Sequence, residues 1–319
     1  MHPLLKARPR FALIAFSAIA FALSAPALPA AAAPRAEHLV IIGIDGLGAY
    51  GLQGSAKLPN IERLRQAGAY TYHARGVMPT SSSPNWASMI MGAGPELHGV
   101  TSNAWQPDQF DIPPAVTGPE GIFPTIFGLL RAQRPASKIA FFTEWKDFPR
   151  LLERKAINEL YVGESAEDTA EHAAATILKS KPNLVFVQFD HVDHAGHKFG
   201  HETPEYFAAV EKADALIGQI VDALKKAGIH DRTVVLVTAD HGGTGKKHGD
   251  PVLRQIEIPW IIAGPGIARG KQIQSPLATY DTAATAAYIL GLQPPHAWTG
   301  RPVLEAFTKG AGAAAKGER

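Results

Sequence analysis

Four short segments of this chain carry side chains suited to hydrolytic chemistry. Ile41-Ile42-Gly43-Ile44-Asp45-Gly46 ends an apolar run in a carboxylate. Thr80-Ser81-Ser82-Ser83-Pro84-Asn85 offers hydroxyls at a helix start. Asp193-His194-Ala195-Gly196-His197 and Thr238-Ala239-Asp240-His241-Gly242-Gly243, with His248 just after, pair carboxylates with imidazoles. Carboxylates and imidazoles that converge can hold two divalent cations, with a hydroxyl beside them as nucleophile. That equipment suits attack on a phosphate ester. Taken singly, an Asp after a strand is usually a turn former or a helix cap, and a Ser-rich loop before a helix is usually an N-cap. Three expected strands, however, each lead to an Asp, and two of these have His close by. Gly196 between Asp193 and His197 suggests a tight bend, and Gly242-Gly243 would let backbone approach a bound group closely. A hydroxyl at a helix N-terminus also meets free N–H groups and partial positive charge, which favour a phosphate.

The elements that must position these residues can be read from the hydrophobic pattern. Apolar, β-branched runs at 38–44, 183–189, 233–238 and 258–263 read as buried strands, with shorter ones at 70–77 and 138–142. Helices are expected at 59–68, 84–91, 123–131, 166–179, 204–227 and 281–290, with Pro near several starts and Gly at several ends. Residues 105–121, rich in Pro and Gly, read as a loop over the site. Strands alternate with helices without a repeat or a long linker. The expected class is α/β, a mostly parallel central sheet with helices on both faces, whose strand ends gather ligands at their carboxyl edge.

The chain has 319 residues, 46% of them apolar, enough for one large core. Lys6, Arg8 and Arg10 precede an apolar run from Phe11 to Leu23, and small residues with Ala-x-Ala spacing follow. That layout predicts a secretory signal over 1–33, an exported (periplasmic or secreted) protein, and no transmembrane span after cleavage; the run is short for an uncleaved anchor. Without those three positive charges the formal net charge moves from +2 to −1. No polybasic stripe suggests nucleic acid as a partner. The absence of cysteine excludes disulfides and thiolate metal sites, so any metal must be held by His and carboxylates. The last residues, 309–319, are Gly, Ala and charge and read as a disordered tail. Between these ends, 34–308 reads as a single catalytic domain.

From Leu39 to Leu292 the motifs resemble the nucleotide pyrophosphatase/phosphodiesterase branch of the alkaline phosphatase superfamily. Pro79-Thr80-Ser81-Ser82-Ser83-Pro84-Asn85 is similar to that family's nucleophile motif, with Ser82 at the attacking position. The stretch Gly92 to Val100 is similar to its Gly-x-x-Pro-x-x-His-Gly-Val, and Asn103 falls on its phosphate-binding Asn. Asp193 to His197 resembles its Asp-x-x-Gly-His, Ala239 to Gly242 its Ser-Asp-His-Gly, and His248-Gly249 its final His-Gly. The resemblance implies an alkaline-phosphatase-like fold and a two-metal centre; the His and carboxylate donors point to zinc, with manganese as the alternative. Asp193, His197 and His248 would hold one ion, and Asp45, Asp240 and His241 the other, with the Ser82 oxygen as a further ligand. It implies hydrolysis of a small phosphodiester or a nucleotide pyrophosphate bond through a phosphoserine, with Asn103 and helix N–H groups holding the phosphoryl oxygens. The chain departs from the pattern in having Ser for Thr at the nucleophile, Ser83 where an aromatic often follows, and a large Trp86.

Other polar residues read more simply. His191, His194 and His201 would support or flank the site, His98 and Asn85 would be structural, and Lys246 and Lys247 would lie on a solvated loop. Trp105 fits a pocket lining and a packed loop equally. Alternative activities are phosphomonoester or phosphonate hydrolysis at the same centre, which would need additional cationic partners from Lys246, Lys247 or a loop Arg. A sulfatase is disfavoured, since Ser82-Ser83-Pro84 is followed by Asn85 and Trp86 rather than the required Arg. A non-catalytic metal- or phosphate-binding exported protein is the remaining class.

Overall fold

The run His38–Ile44 forms β1, which is buried along its whole length. The computed structural model describes residues 35–54 and 56–308; the expected signal segment and tail lie outside the described residues. The other strands are β2 (Ala69–Arg75), β3 (Ile139–Thr143), β4 (Glu159–Val162), β5 (Leu184–Phe189), β6 (Thr233–Ala239), β7 (Glu257–Ala263) and β8 (Lys271–Gln272). They make one sheet in the order β4-β3-β5-β1-β6-β7-β2-β8. The first five in that order run parallel. β7 runs against both β6 and β2, and β8 is parallel to β2. β1, β5 and β6 are buried at every position, which is why they read as continuous apolar runs rather than alternating ones.

The helices are α1 (Pro59–Ala67), α2 (Ser82–Met91), α3 (Pro95–His98), α4 (Ile126–Gln133), α5 (Ala166–Ser180), α6 (His191–Phe199), α7 (Pro204–Lys226), α8 (Leu253–Ile256) and α9 (Asp281–Leu290). α1, α5 and α6 pack on α7, and α2 and α4 pack on α9. α5 touches β3 and β5, α1 touches β7, and α9 touches β1. These two groups are the layers that cover the faces of the mostly parallel sheet, as the alternation of elements requires. Among the described residues no helix is long and apolar enough to cross a membrane.

Some boundaries differ from the sequence reading. α2 begins at Ser82, two residues before Pro84, so the proline lies inside the first turn, where its missing N–H costs little. α4 begins three residues after Phe123, because Pro124 disfavours helix at the residue before it and Thr125 caps the helix through Gly128 N–H at 3.2 Å. The bend expected at Gly196 is absent. Residues 191–199 are helical, and Asp193 and His197 meet as neighbours one turn apart. Gly196 serves packing instead: a Cβ there would lie 2.4 Å from His201 Nε2. β4, β8, α3, α6 and α8 have no counterpart among the expected elements. Segment 105–121 is irregular as expected, with one antiparallel bridge between Gln106 and Gln109.

Candidate active site

β1 lies between β5 and β6, with Ile44 in register with Phe189 on one side and Ala239 on the other. The next residue of each strand is therefore Asp45, Asp190 or Asp240, side by side at the carboxyl edge. Asp193 follows one turn into α6. The third strand thus ends in Asp190, which the sequence reading passed over. Gly46, at φ +69°, brings Asp193 over the end of β1; a Cβ there would sit 2.6 Å from Asp193 Oδ1.

Each predicted aspartate ligand has one carboxylate oxygen committed and one open. Asp45 Oδ2 accepts from Trp86 Nε1 at 2.9 Å and from Gln188 Nε2 at 3.2 Å. Asp240 Oδ1 accepts from the Gly46 N–H at 3.1 Å and the His241 N–H at 2.8 Å. Asp193 Oδ2 lies 3.0 Å from His197 Nε2. Asp45 Oδ1, Asp193 Oδ1 and Asp240 Oδ2 are buried with no hydrogen-bond partner.

The three predicted histidine ligands are oriented in the same way. His197 Nδ1 donates to the Lys246 carbonyl at 2.9 Å, His241 Nδ1 to the Gly242 carbonyl at 3.0 Å, and His248 Nδ1 to the Thr80 carbonyl at 2.8 Å. A proton fixed on Nδ1 leaves the Nε2 lone pair as the ligand. Those Nε2 atoms converge: His197 and His248 are 3.2 Å apart. His241 Nε2 lies 3.2 Å from Asp240 Oδ2 and 3.5 Å from Asp45 Oδ1. Ligand atoms of Asp193, His197 and His248 lie within 4.8 Å of one another, as do those of Asp45, Asp193 and His241. Asp193 is common to both groups, and Asp240 stands against His241.

The electrostatics fit a cation site. Burial, then the charges of Asp240, Asp190 and Asp193, push the Asp45 carboxyl well above its ordinary range. Burial, then Asp193, does the same to Asp240. Burial also raises Asp193, but the His197 hydrogen bond and nearby imidazole charges outweigh it and hold this carboxyl low. Burial, with His248, lowers His241 to about 3, so the ring is neutral and able to ligate. The Asp193 bond raises His197 to about 9 against the opposing effect of burial. A proton between those two atoms occupies the place a cation would take. Among the described residues no Lys or Arg forms an ion pair with Asp45, Asp193 or Asp240. Buried carboxylates with open oxygens, facing imidazole lone pairs, match the His–carboxylate donor set of zinc-type ions.

Ser82, only 7% exposed, begins α2 with its Oγ 3.3 Å from His241 Nε2. Asn103 Oδ1 accepts the Ser83 N–H at 2.8 Å, which commits the oxygen end of this exposed amide to the helix start. The expectation that several helix N–H groups face the phosphate needs correction. Ser83 N–H is held by Asn103, Pro84 has none, and Asn85 N–H bonds the Ser81 carbonyl at 3.2 Å. Of these first residues, only Ser82 retains an uncommitted N–H.

The secondary polar residues have defined partners. Asn85 ties Val77, Pro79 and Ser81 together through its side chain. His98 is buried between Ser88 Oγ and the Val100 N–H. His191 meets Glu144, His194 meets Asp190, and His201 meets the Tyr50 hydroxyl. Lys247 pairs with Asp250, and Trp105 is packed, 5% exposed. Besides Asp190, sequence reasoning missed Trp86 and Gln188 as the donors to Asp45, and Arg150, which bonds both Ser83 Oγ and the Asn103 carbonyl at 2.8 Å. Only the place of Asp190, immediately after an apolar run, gave a signal in the chain itself.

The sequence profile of the type I phosphodiesterase / nucleotide pyrophosphatase family matches residues 39–258. Ectonucleotide pyrophosphatase/phosphodiesterase family member 3 of Rattus norvegicus is 25% identical over 242 residues, 64% of this chain and 24% of that protein. Venom phosphodiesterase of Macrovipera lebetinus is 25% identical over 223 residues, 64% of this chain and 25% of that protein. The chain thus spans about a quarter of the length of these curated relatives. Murine ectonucleotide pyrophosphatase / phosphodiesterase 5, an inactive form in complex with AMP, superposes with a TM-score of 0.70 at 16% identity, covering 85% of this chain and 100% of that one. A 2-O GAG sulfatase superposes at 0.64 with 18% identity, covering 84% of this chain and 73% of that one. The fold is alkaline-phosphatase-like, and the chain belongs to the type I phosphodiesterase / nucleotide pyrophosphatase family.

Proposed function

We propose that this member of the type I phosphodiesterase / nucleotide pyrophosphatase family hydrolyses small phosphoric esters, at a phosphodiester or nucleotide pyrophosphate bond, through a phosphoserine on Ser82. One observation carries the reading. Three imidazoles, each tied through Nδ1 to a backbone carbonyl, aim Nε2 at carboxylates with open oxygens, and Ser82 Oγ lies 3.3 Å from one of them. Asp193, His197 and His248 would hold one divalent cation, and Asp45, Asp240 and His241 a second, with Ser82 Oγ as a further ligand; zinc suits this donor set. Bound there, such ions lower the pKa of a hydroxyl or water and neutralise charge that develops on phosphoryl and leaving oxygens.

The chain's own residues do the rest. Ser82 Oγ, freed of its proton, attacks phosphorus as the ester oxygen leaves on the opposite side. Water then attacks the phosphoserine, releases phosphate or its monoester, and restores Ser82. The Asn103 amide NH2 donates to a phosphoryl oxygen in both steps. Residues 34–308 form the catalytic domain of an exported protein in this reading. The names of the ectonucleotide relatives and the positively charged, apolar start of the chain support export. Phosphomonoester hydrolysis is a second reading, favoured by the guanidinium of Arg150 beside Ser83.

Ser82→Ala is expected to lower turnover of bis-p-nitrophenyl phosphate by at least about a hundredfold, about 2.7 kcal/mol of barrier. Equal rates in purified variant and parent, at equal metal content, would refute the nucleophile.

A further inference from the structure

A buried amide must have its donors and acceptors met inside the protein, and Gln255 is 0% exposed. It lies in α8, directly before β7. Its Oε1 accepts the Asp250 N–H at 2.6 Å, which fixes the orientation of the amide. The same oxygen accepts the Thr80 hydroxyl at 3.0 Å, with the Asp250 carbonyl as a second acceptor at 3.2 Å. Nε2 donates to Thr244 Oγ1 at 2.7 Å and to Asp250 Oδ2 at 3.4 Å. One side chain thus gathers both ends of the 244–250 loop and the segment that leads into α2.

That loop needs outside support. Residues 241–252 form neither helix nor strand beyond one bridge between Thr244 and Lys247, and Lys246 and Lys247 are exposed. Yet the loop bears His248, and its Lys246 carbonyl holds His197 Nδ1 at 2.9 Å. Thr80 grips it from the other side. Its carbonyl accepts from His248 Nδ1 at 2.8 Å, and its hydroxyl accepts the Gly249 N–H at 2.9 Å. A hydroxyl that gives its hydrogen to Gln255 turns a lone pair toward Gly249, so Gln255 orients the group that holds the peptide after His248. The Asp45, Asp240 and His241 set has other supports. Asp45 and Asp240 follow buried strands, and His241 Nδ1 donates to the Gly242 carbonyl. The Gly242 N–H bonds the main-chain carbonyl of Gln255 at 2.9 Å, which any residue at that position would supply.

We propose that Gln255 is a positioning residue. Through Thr80, Thr244 and Asp250 its side chain fixes the loop that places His248 and the His197 tether. It thereby sets the affinity of the cation position formed by Asp193, His197 and His248, and leaves the other position alone. The inference rests on the reading of these residues as a two-metal centre, and it adds that the two positions have separable supports.

The test reads zinc affinities of the full chain by competition with a chromophoric chelator. His248→Ala marks which titration step belongs to the position in question. Gln255→Met keeps the length of the side chain and removes its hydrogen bonds. It should weaken that step at least about tenfold and the other no more than about threefold, as loss of a ligand's supporting bonds implies. Thr80→Val cuts the same connection from its other end and should do likewise. Thr80→Ser keeps the hydroxyl and should stay within about threefold of the parent at both steps. Because the two substitutions break one connection, Thr80→Val with Gln255→Met should lose less than the product of the single losses. A purely structural role would lower the urea midpoint and leave both affinities unchanged, or weaken both alike; either result would overturn the proposal, as would losses that multiply. Should Gln255→Met not fold, the Thr80 pair decides, and equal affinities in Thr80→Val and Thr80→Ser would overturn it. A parent that binds no ion removes the underlying reading. A parent that binds two, with variants that keep both affinities, removes only the role of Gln255.

Discussion

Among single residues, His98 shows how a motif match can mark structure rather than chemistry. It lies in the stretch that resembles a family signature, yet its ring is buried away from the aspartates, with Nε2 2.9 Å from Ser88 Oγ. Its Nδ1 accepts the Val100 N–H at 3.0 Å and must be unprotonated to do so. Burial lowers this histidine from 6.5 to about 3. Because the folded value is depressed, the unfolded chain binds the proton first as pH falls. The stability contributed by the neutral ring is full above about pH 6.5 and is lost progressively below it, down to about pH 3. Urea melts between pH 7 and 4 should therefore show stability falling, with His98 contributing up to about 1.4 kcal/mol per pH unit. His98→Gln should flatten that part of the profile while lowering stability at pH 7. An unchanged slope would remove His98 as its source. At this scale the candidate ligands could be picked out, because carboxylates and imidazoles in short, fixed spacings are uncommon and chemically committed. Trp86, Gln188, Asp190 and Arg150 were not. Trp86 reaches Asp45 across 41 positions and Gln188 reaches it across 143, and nothing local marks either as a donor to a carboxylate.

Among elements, α6 is the informative case. His191–Phe199 contains three histidines, one glycine and few apolar residues, so no helical period stands out. Its fold is set by packing on α7 and by the place of Asp190 at the end of β5. The helix puts Asp193 and His197 on one face, where a bend would have scattered them. Propensity alone predicts that Gly196→Ala stabilises this helix by about 1 kcal/mol. The structure predicts the opposite sign. The new Cβ would meet the His201 ring at 2.4 Å, and that ring cannot retreat. It is bonded to the Tyr50 hydroxyl at 2.9 Å and also lies close against Gly243. Gly196→Ala should destabilise by about 1–3 kcal/mol, read from the urea midpoint at constant slope. A gain in stability would mean His201 is freer than its contacts imply. The buried strands, by contrast, could be read from sequence almost to the residue, since burial on both faces leaves little choice but β-branched and apolar side chains. β8, two residues long, and α3 and α8, four each, are too short for any period to declare them.

For the whole molecule, the parallel order of β3, β5, β1 and β6 sends four loops to one edge, and all four supply the site. The alternation of strands and helices made that architecture legible. The strand order was not, because pairing between distant segments leaves no local mark. This concentration of acids has a thermodynamic cost. Asp45, Asp190, Asp193 and Asp240 repel one another in a buried setting. Cations there should contribute to folding itself. Dialysis against a chelator should lower the melting temperature, and zinc should restore it. At a free concentration a hundred times its dissociation constant, an ion adds about 2.7 kcal/mol. Calorimetry that shows the same transition with and without chelator, on protein whose metal content has been measured, would argue against ion binding at this edge.

Every imidazole of the site is anchored to a main-chain carbonyl rather than to another side chain. Main-chain atoms are the same whatever residue bears them. Lys246 can therefore drift to almost any residue while His197 keeps its tether, whereas Thr80, buried, also holds the Gly249 N–H through its Oγ1 at 2.9 Å and so places His248 with its side chain as well. Loss of a single position between Gly242 and His248 would move the carbonyl itself and misalign the ring. The stretch that carries Lys246 is thus free in composition and constrained in length.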